Sequence, residues 1–187
     1  ARLAVALALD EPSPSDLLAL MAHPARRSTL EGAALADAIA AIELKALRGL
    51  RPPGGLAGFL KLIEAALPSA RPRPDVAASR VTAEALANGR QLLGEIIAAL
   101  EPLRQVGGEA PIADFAAAHA EVLGHLGLDP DAIGTAEIQS LLTSLAVSAP
   151  AKDFVISRHD YASALDSLIG TETVRLPANP GARIRIL

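Results

Sequence analysis

The residues best suited to chemistry in this sequence are arginines grouped around a turn rich in proline and glycine. Residues 48–80 carry six basic and two acidic side chains, a local charge of +4, whereas the whole chain has a net charge of -4. The remaining residues must therefore sum to -8. A basic segment in an acidic chain can mark a contact with nucleic-acid phosphates. The sequence thus predicts a DNA-binding site formed by Arg48, Arg51, Arg71, Arg73 and Arg80.

A second interpretation of these arginines stays open at this point. The segment can be a solvated connector whose arginines pair with acidic residues of neighbouring helices, without any contact to DNA. Stacking of aromatic side chains on single-stranded bases is poorly supported, because the chain has three Phe, one Tyr and no Trp.

No other group of residues has the spacing of a catalytic or metal site. The sequence lacks a phosphate-binding loop of the NTPase type and a carboxylate cluster of the kind that holds magnesium in nucleases. His119 and His125 are six residues apart, whereas a metal-binding pair on a helix needs a spacing of about three or four. The absence of cysteine excludes a disulfide, a cysteine–zinc site and an iron–sulfur cluster within this chain. We therefore predict no catalytic residue, no metal ligand and no cofactor here.

The elements that position the arginines are predicted to be α-helices. Apolar residues make up 51% of the chain and aromatic residues only 2%, so the core must consist of Ala, Leu, Ile and Val at helical spacing. We predict a mainly α fold, an irregular multi-helix bundle with one or two short strands at the C-terminal end. Residues 1–170 would form the helical domain and residues 171–187 a strand segment. No run reaches about 18 uninterrupted apolar residues, so we expect no membrane partner.

Signals at helix ends predict a first helix over residues 2–9 and a helix that Thr135 caps and that runs to about Val147. Ser157 with Asp160 three residues on resembles a capping box at the start of the last helix.

Proline and apolar patterns predict further boundaries within the bundle. Pro24 should end the second helix at His23, whose ring we expect to be buried. A helix that ends near Leu100 should leave Pro102 in a loop, and residues 154–156 should form a short strand. The helix before the basic turn carries a core-facing stripe at i, i+4, i+7 and i+11, namely Leu35, Ile39, Ile42 and Ala46.

Three motifs in this order carry a family resemblance. Residues 17–25 read Leu-Leu-Ala-Leu-Met-Ala-His-Pro-Ala, residues 47–56 read Leu-Arg-Gly-Leu-Arg-Pro-Pro-Gly-Gly-Leu, and residues 179–187 end in Arg-Ile-Arg-Ile-Leu. These segments resemble the B subunit of the bacterial AddAB helicase–nuclease, particularly its alphaproteobacterial form. Ala22 stands where the family usually has Lys, and Ala25 where it usually has Leu. Between residues 61 and 178 the likeness is only general.

The resemblance implies a function in DNA repair. The family's B subunit has a helicase-like fold without a working motor and a C-terminal nuclease, and with the A subunit it processes double-strand DNA ends for recombination. This chain would be an internal, non-catalytic insertion of the second helicase-like lobe, similar to the accessory subdomain of superfamily-one helicases. Residues 171–187 would lead back into that lobe.

The same resemblance implies the partners and the location. The parent protein would be a cytoplasmic subunit of an ATP-dependent exodeoxyribonuclease, with the A subunit as its partner and DNA as a possible one. No small-molecule substrate is expected, and the family's nuclease motif and iron–sulfur cysteines lie outside this chain. The alternative is a stand-alone helical adaptor that binds a protein through an apolar groove, with no DNA role. A small-ligand-binding bundle is a more remote third possibility.

Overall fold

The computed structural model describes residues 1–66 and 81–171, and this part of the chain has the predicted mainly α fold. The helices are α1 (Arg2–Leu9), α2 (Pro14–Met21), α3 (Gly32–Ile42), α4 (Gly55–Ala66), α5 (Ala83–Gln105), α6 (Ile112–His125), α7 (Thr135–Val147), α8 (Ala149–Asp153) and α9 (Arg158–Thr171). Two short strands, β1 (Glu109–Pro111) and β2 (Val155–Ser157), form an antiparallel pair. Thr171 belongs to α9, and the rest of the predicted strand segment lies outside the described residues.

The long helix α5 lies at the centre of the core. It packs against α1, α3, α4 and α6, and most of its buried side chains belong to one large apolar cluster. Ala85 and Leu86, at its start, form a second small cluster with Ala41 of α3. The large cluster consists mainly of Ala, Leu, Ile and Val, as the composition predicts, with Phe59, Phe115 and Tyr161 as its largest fully buried rings. The buried apolar residues of α5 are Ala85, Leu86, Leu92, Leu93, Ile96, Ala99, Leu100 and Leu103.

The predicted stripe is confirmed at Ile42 and Ala46, which are buried, and is wrong at its other two positions. Ala38, Ala41 and Ile42 are fully buried, whereas Leu35 and Ile39 are only half-buried. The contact with α5 uses the small side chains of Ala38 and Ala41 beside Ile42, and the spacing of bulky residues in the sequence does not select small ones. A Cβ atom on Gly89 of α5 would lie 3.2 Å from the carbonyl oxygen of Ala38 and 3.2 Å from Cγ1 of Ile42. The two helices therefore cross closely because Gly and Ala meet at the crossing point.

Enlarging Gly89 should separate these helices. We expect Gly89→Val to lower the free energy of unfolding by about 1–3 kcal/mol, the usual cost of overpacking a core. Gly94→Val is the matched control in the same helix, because a Cβ there would meet nothing within 4 Å. Thermal unfolding followed by circular dichroism measures both. Equal melting temperatures for the two variants would show that the crossing accommodates the side chain.

A π-helical segment, Glu43–Leu47, continues α3 into the basic turn. It ends with a hydrogen bond of 3.1 Å from the Arg48 N–H to the carbonyl oxygen of Glu43, five residues earlier. Pro52 and Pro53 follow, and α4 then begins through Gly54 and Gly55 with φ of 90° and 60°. Because only glycine adopts such φ values at little cost, the two glycines are required by the backbone of this turn.

Two further predictions are corrected or refined by the structure. The predicted end near Leu100 is wrong, because α5 continues through Pro102 to Gln105. Pro102 lies in the last turn of α5, where it has no N–H to donate to the carbonyl oxygen of Ala98. The predicted strand at residues 154–156 is confirmed with a shift of one residue. Its partner β1 was not predicted, because three residues are too short for a period-two pattern.

No helix within residues 1–66 and 81–171 combines the length and the apolar character that crossing a membrane requires.

Candidate functional site

The two predicted DNA-binding arginines that the structure describes are both paired with acidic side chains of this chain. Arg48 contacts Glu43 through a nitrogen–oxygen distance of 2.9 Å, across the π-helical segment. Arg51 contacts Glu11 at 2.8 Å, from the loop between α1 and α2. Between them lies Leu50, whose side chain is 95% exposed. This arrangement agrees with the second interpretation of the turn, in which the arginines pair within the domain.

The other three predicted arginines lie outside the described residues: Arg71, Arg73 and Arg80. The structure therefore places Arg48 and Arg51 in one turn. The predicted DNA-binding site of five arginines stays a prediction.

The histidines form no metal site in the described chain. No group of three or more His, Cys, Asp or Glu side chains in this part of the chain could hold a metal ion. His23, expected to be buried, is exposed, and its Nδ1 accepts a hydrogen bond of 3.2 Å from the Ala25 N–H. The helix α2 ends at Met21, two residues before the predicted end at His23, and Pro24 disfavours the helical conformation at His23.

His119 forms a buried polar pair that the sequence did not indicate. Its side chain is completely buried, and its Nδ1 lies 3.0 Å from the hydroxyl oxygen of Tyr161. The Tyr161 ring stacks on Phe115 with a centroid distance of 5.0 Å. His119 Nε2 has no hydrogen-bond partner of good geometry among the described residues.

The surroundings of this pair oppose ionisation of both side chains. Burial, with a further contribution from the amino group of Ala1, lowers the pKa of His119 to about 3, and a weak backbone interaction with Ala1 acts in the opposite direction. Burial also raises the pKa of Tyr161. Both side chains are therefore neutral at physiological pH, and the pair joins α6 to α9 through an uncharged hydrogen bond.

A second feature that the sequence did not indicate is a cavity of about 520 Å³ next to Arg26. Arg26 follows the His-Pro stop, and its Nε and Nη1 atoms are buried without a hydrogen-bond partner in the described chain. Burial lowers the pKa of the Arg26 guanidinium, while the charge of Glu95 opposes this shift. The cavity is lined by Arg26, Arg27, Ser28, Thr29, Glu95, Ile96, Ala98, Ala99, His125 and Leu126.

The backbone holds this arginine segment against the loop that follows α6. Arg26 forms an antiparallel β-bridge with Leu128. The Arg27 N–H donates to the carbonyl oxygen of Gly127 at 2.8 Å, and the Asp129 N–H donates to that of Ala25 at 2.7 Å. These contacts join residues about a hundred positions apart, so the local sequence around Arg26 gave no sign of them.

Comparisons with protein-family models, with curated proteins and with solved structures give no match to this chain. The AddB-like assignment therefore stays a prediction from the three sequence motifs.

Proposed function

We propose that this chain is a non-catalytic helical domain of a helicase–nuclease subunit that processes double-strand DNA ends, with a structural role in that subunit. The observation that carries the proposal is that two glycines of the motif at residues 47–56 stand where the backbone of the turn requires glycine. Gly54 and Gly55 adopt positive φ, and a Cβ on Gly55 would lie 3.4 Å from Cγ of Pro12. Because the backbone of this turn needs these glycines, other proteins that build the same turn are expected to carry the same glycine motif.

A structural role is further supported by the state of the basic turn. Arg48 and Arg51 are paired with Glu43 and Glu11, so their charges are largely compensated within the domain. Arginines that bind phosphates need unpaired donors facing the partner. The two pairs thus support a structural role, in which the arginines join the turn to the π-helical segment and to the loop between α1 and α2.

The test replaces Arg48 and Arg51 with Ala in the full two-subunit complex. We expect DNA-end binding to keep the parent affinity and salt dependence, and the free energy of unfolding of this domain to fall by less than about 1 kcal/mol, as for exposed ion pairs. The control is Arg90→Ala with Arg104→Ala, which removes the same charge elsewhere on the surface. Weaker end binding, with the slope of log K against log salt flattened by roughly 0.7–0.9 per lost contact, would instead assign DNA contacts to the turn.

The family assignment itself is tested separately. We expect the gene to encode helicase-like strands on both sides of residues 1–187, and its product to co-purify with a motor subunit that degrades linear DNA with ATP. Flanking sequence of another architecture would refute the assignment and leave the adaptor as the better proposal.

The adaptor has one observation in its favour. An apolar groove of about 410 Å³ runs between the start of α1, the end of α6 and the start of α7. Its apolar lining includes Leu3, Leu123 and Ile138, with Ile133 71% exposed at its edge. Groove binding of an amphipathic helix needs a surface of this kind.

A further inference from the structure

We propose that the apolar groove beside the start of α1 is covered by the C-terminal segment of this same chain, residues 172–187, with the side chains of Val174 and Leu176 inside it. The groove has a volume of about 410 Å³. The proposal does not depend on the proposed function, because it concerns a contact within the 187-residue chain and is tested on that chain alone.

The lining of the groove consists mainly of apolar side chains that a covering segment would remove from water. Leu3 of α1, Leu128 in the loop after α6 and Ile138 of α7 are only half-buried, and Ile133 at the edge is 71% exposed. Among the described residues no acidic side chain lines the groove. Because the burial of apolar surface is favourable, a concave surface of this kind is where another apolar segment packs.

The end of α9 brings residues 172–187 to this groove. The helix ends at Thr171, and Ile169 in its last turn lines the groove. An extended chain advances about 3.3 Å per residue, so Val174 and Leu176 can lie up to roughly 17 and 23 Å from Ile169. The segment is thus tethered at the rim, and a short tether gives an effective concentration in the millimolar range. A peptide from another protein would have to displace this competitor.

The residue pattern of the segment suits an apolar groove. Val174 and Leu176 alternate with polar residues, so in an extended segment both apolar side chains lie on the same side. Ile184 and Ile186 show the same alternation but lie ten residues further along the chain. Closing the longer loop costs more entropy. We therefore assign the nearer pair to the groove.

The first experiment measures the position of the segment with a nitroxide spin label on an isotope-labelled chain. The label is attached through Thr173→Cys, which is a unique site because the chain has no cysteine. We expect the label to broaden the amide resonances of residues 128–138. The double variant Val174→Asp with Leu176→Asp should reduce this broadening by at least about twofold, because a carboxylate does not enter an apolar groove without a partner.

The matched control is Ile184→Asp with Ile186→Asp, which adds the same charge to the same segment. This control should leave the broadening of residues 128–138 unchanged. Comparing the two double variants separates docking of Val174 and Leu176 from the mere nearness of the label to the end of α9.

The second experiment tests the contact from the groove side. We expect Ile133→Asn to lower the folding equilibrium constant by about fivefold or more, because the segment would bury the new amide against apolar side chains. The matched control is Val147→Asn, since Val147 is 70% exposed and does not line the groove. In the chain that carries Leu176→Asp, Ile133→Asn should have a smaller effect, because the two positions share one contact.

Three results overturn the proposal. The first is broadening that Val174→Asp with Leu176→Asp leaves unchanged, and the second is equal stability of Ile133→Asn and Val147→Asn. The third is a shift of the groove resonances with protein concentration, which would assign the groove to a second copy of the chain. Each of these results leaves the proposed function intact, because that function is tested by the flanking sequence and by co-purification with a motor subunit.

Discussion

We expect Gly58→Ala to be the most destabilising single-methyl change among the described glycines. A Cβ atom at this position would lie 2.4 Å from the carbonyl oxygen of Pro53 and 3.1 Å from two side-chain carbons of Pro52. Real Cβ contacts do not reach 2.4 Å, and the nearest atom belongs to the backbone rather than to a flexible side chain. The Pro-Pro turn or the first turn of α4 must therefore move.

The expected loss is about 3 kcal/mol or more in the free energy of unfolding, at the upper end of overpacking effects. For a chain of this size that corresponds to a fall of roughly 6–12 °C in Tm. The matched control is Gly94→Ala in the interior of α5, where a Cβ would meet nothing within 4 Å. Alanine is the better helix former by about 1 kcal/mol, so this control should raise Tm slightly.

If Gly→Ala lowers Tm at residue 58 and raises it at residue 94, the cause of the loss is the lack of space around residue 58. A Tm of Gly58→Ala equal to that of the parent would refute the close approach of Pro53 to α4. Because the turn between Arg48 and Gly55 carries the second family motif, the same variant also measures how much that motif contributes to folding.

The sequence predicted the helices well where apolar periodicity and end signals agree. The predicted first helix matches α1 at both ends, and the helix predicted to end near Val147 does so as α7. The predicted cap at Thr135 is wrong by one residue, because Gly134 is the N-cap and Thr135 is the first helical residue. Ser157 was expected to cap the last helix with Asp160 three residues on. Its hydroxyl oxygen does accept from the Asp160 N–H at 3.2 Å and donates to the Asp160 carboxylate at 2.7 Å. These features depend on neighbours in the chain, which a sequence displays directly.

What the sequence did not predict depends on contacts between distant residues. Ala41 rather than Ile39 is buried on α3, because α3 approaches α5 closely at Gly89, about fifty residues away in the sequence. The pairing of Arg51 with Glu11 likewise joins two residues that are far apart in the sequence, one in the turn and one in the loop between α1 and α2. The cavity beside Arg26 is formed by three segments, none of which carries a recognisable ligand-binding pattern by itself.

The fully buried His119 is the clearest case, since a lone histidine on a helix has no sequence signal for burial. The burial of His119 also leads to the second prediction with a large expected effect, which concerns the loss of stability at acidic pH. In the unfolded chain His119 should titrate with the ordinary pKa of 6.5, whereas in the folded chain burial lowers the pKa to about 3. Between these two values the unfolded state binds a proton that the folded state does not. Stability from this residue is therefore complete above pH 6.5 and is lost progressively as the pH falls toward 3.

The measurement is the free energy of unfolding by denaturant at pH 7 and at pH 5, for the parent and for His119→Gln. If His119 stays neutral in the folded protein, the free energy of unfolding of the parent should fall by about 2 kcal/mol from pH 7 to pH 5. The estimate follows because each pH unit below the unfolded pKa changes this free energy by about 1.4 kcal/mol. Carboxylates titrate in the parent and in the variant alike, so the difference between the two proteins isolates His119. Burial raises the pKa of Tyr161, so its hydroxyl stays neutral throughout.

We therefore expect His119→Gln to be less stable than the parent at pH 7, because it loses packing against Tyr161, and to lose most of that disadvantage at pH 5. The control is His159→Gln, whose side chain is 87% exposed, so its loss should change the free energy of unfolding at pH 7 by less than about 0.5 kcal/mol. Parallel profiles for the parent and His119→Gln would mean that the folded protein accepts a proton at His119 as readily as the unfolded chain does. The ring would then have to reach water, and the closed packing of α6 against α9 at Tyr161 would be wrong.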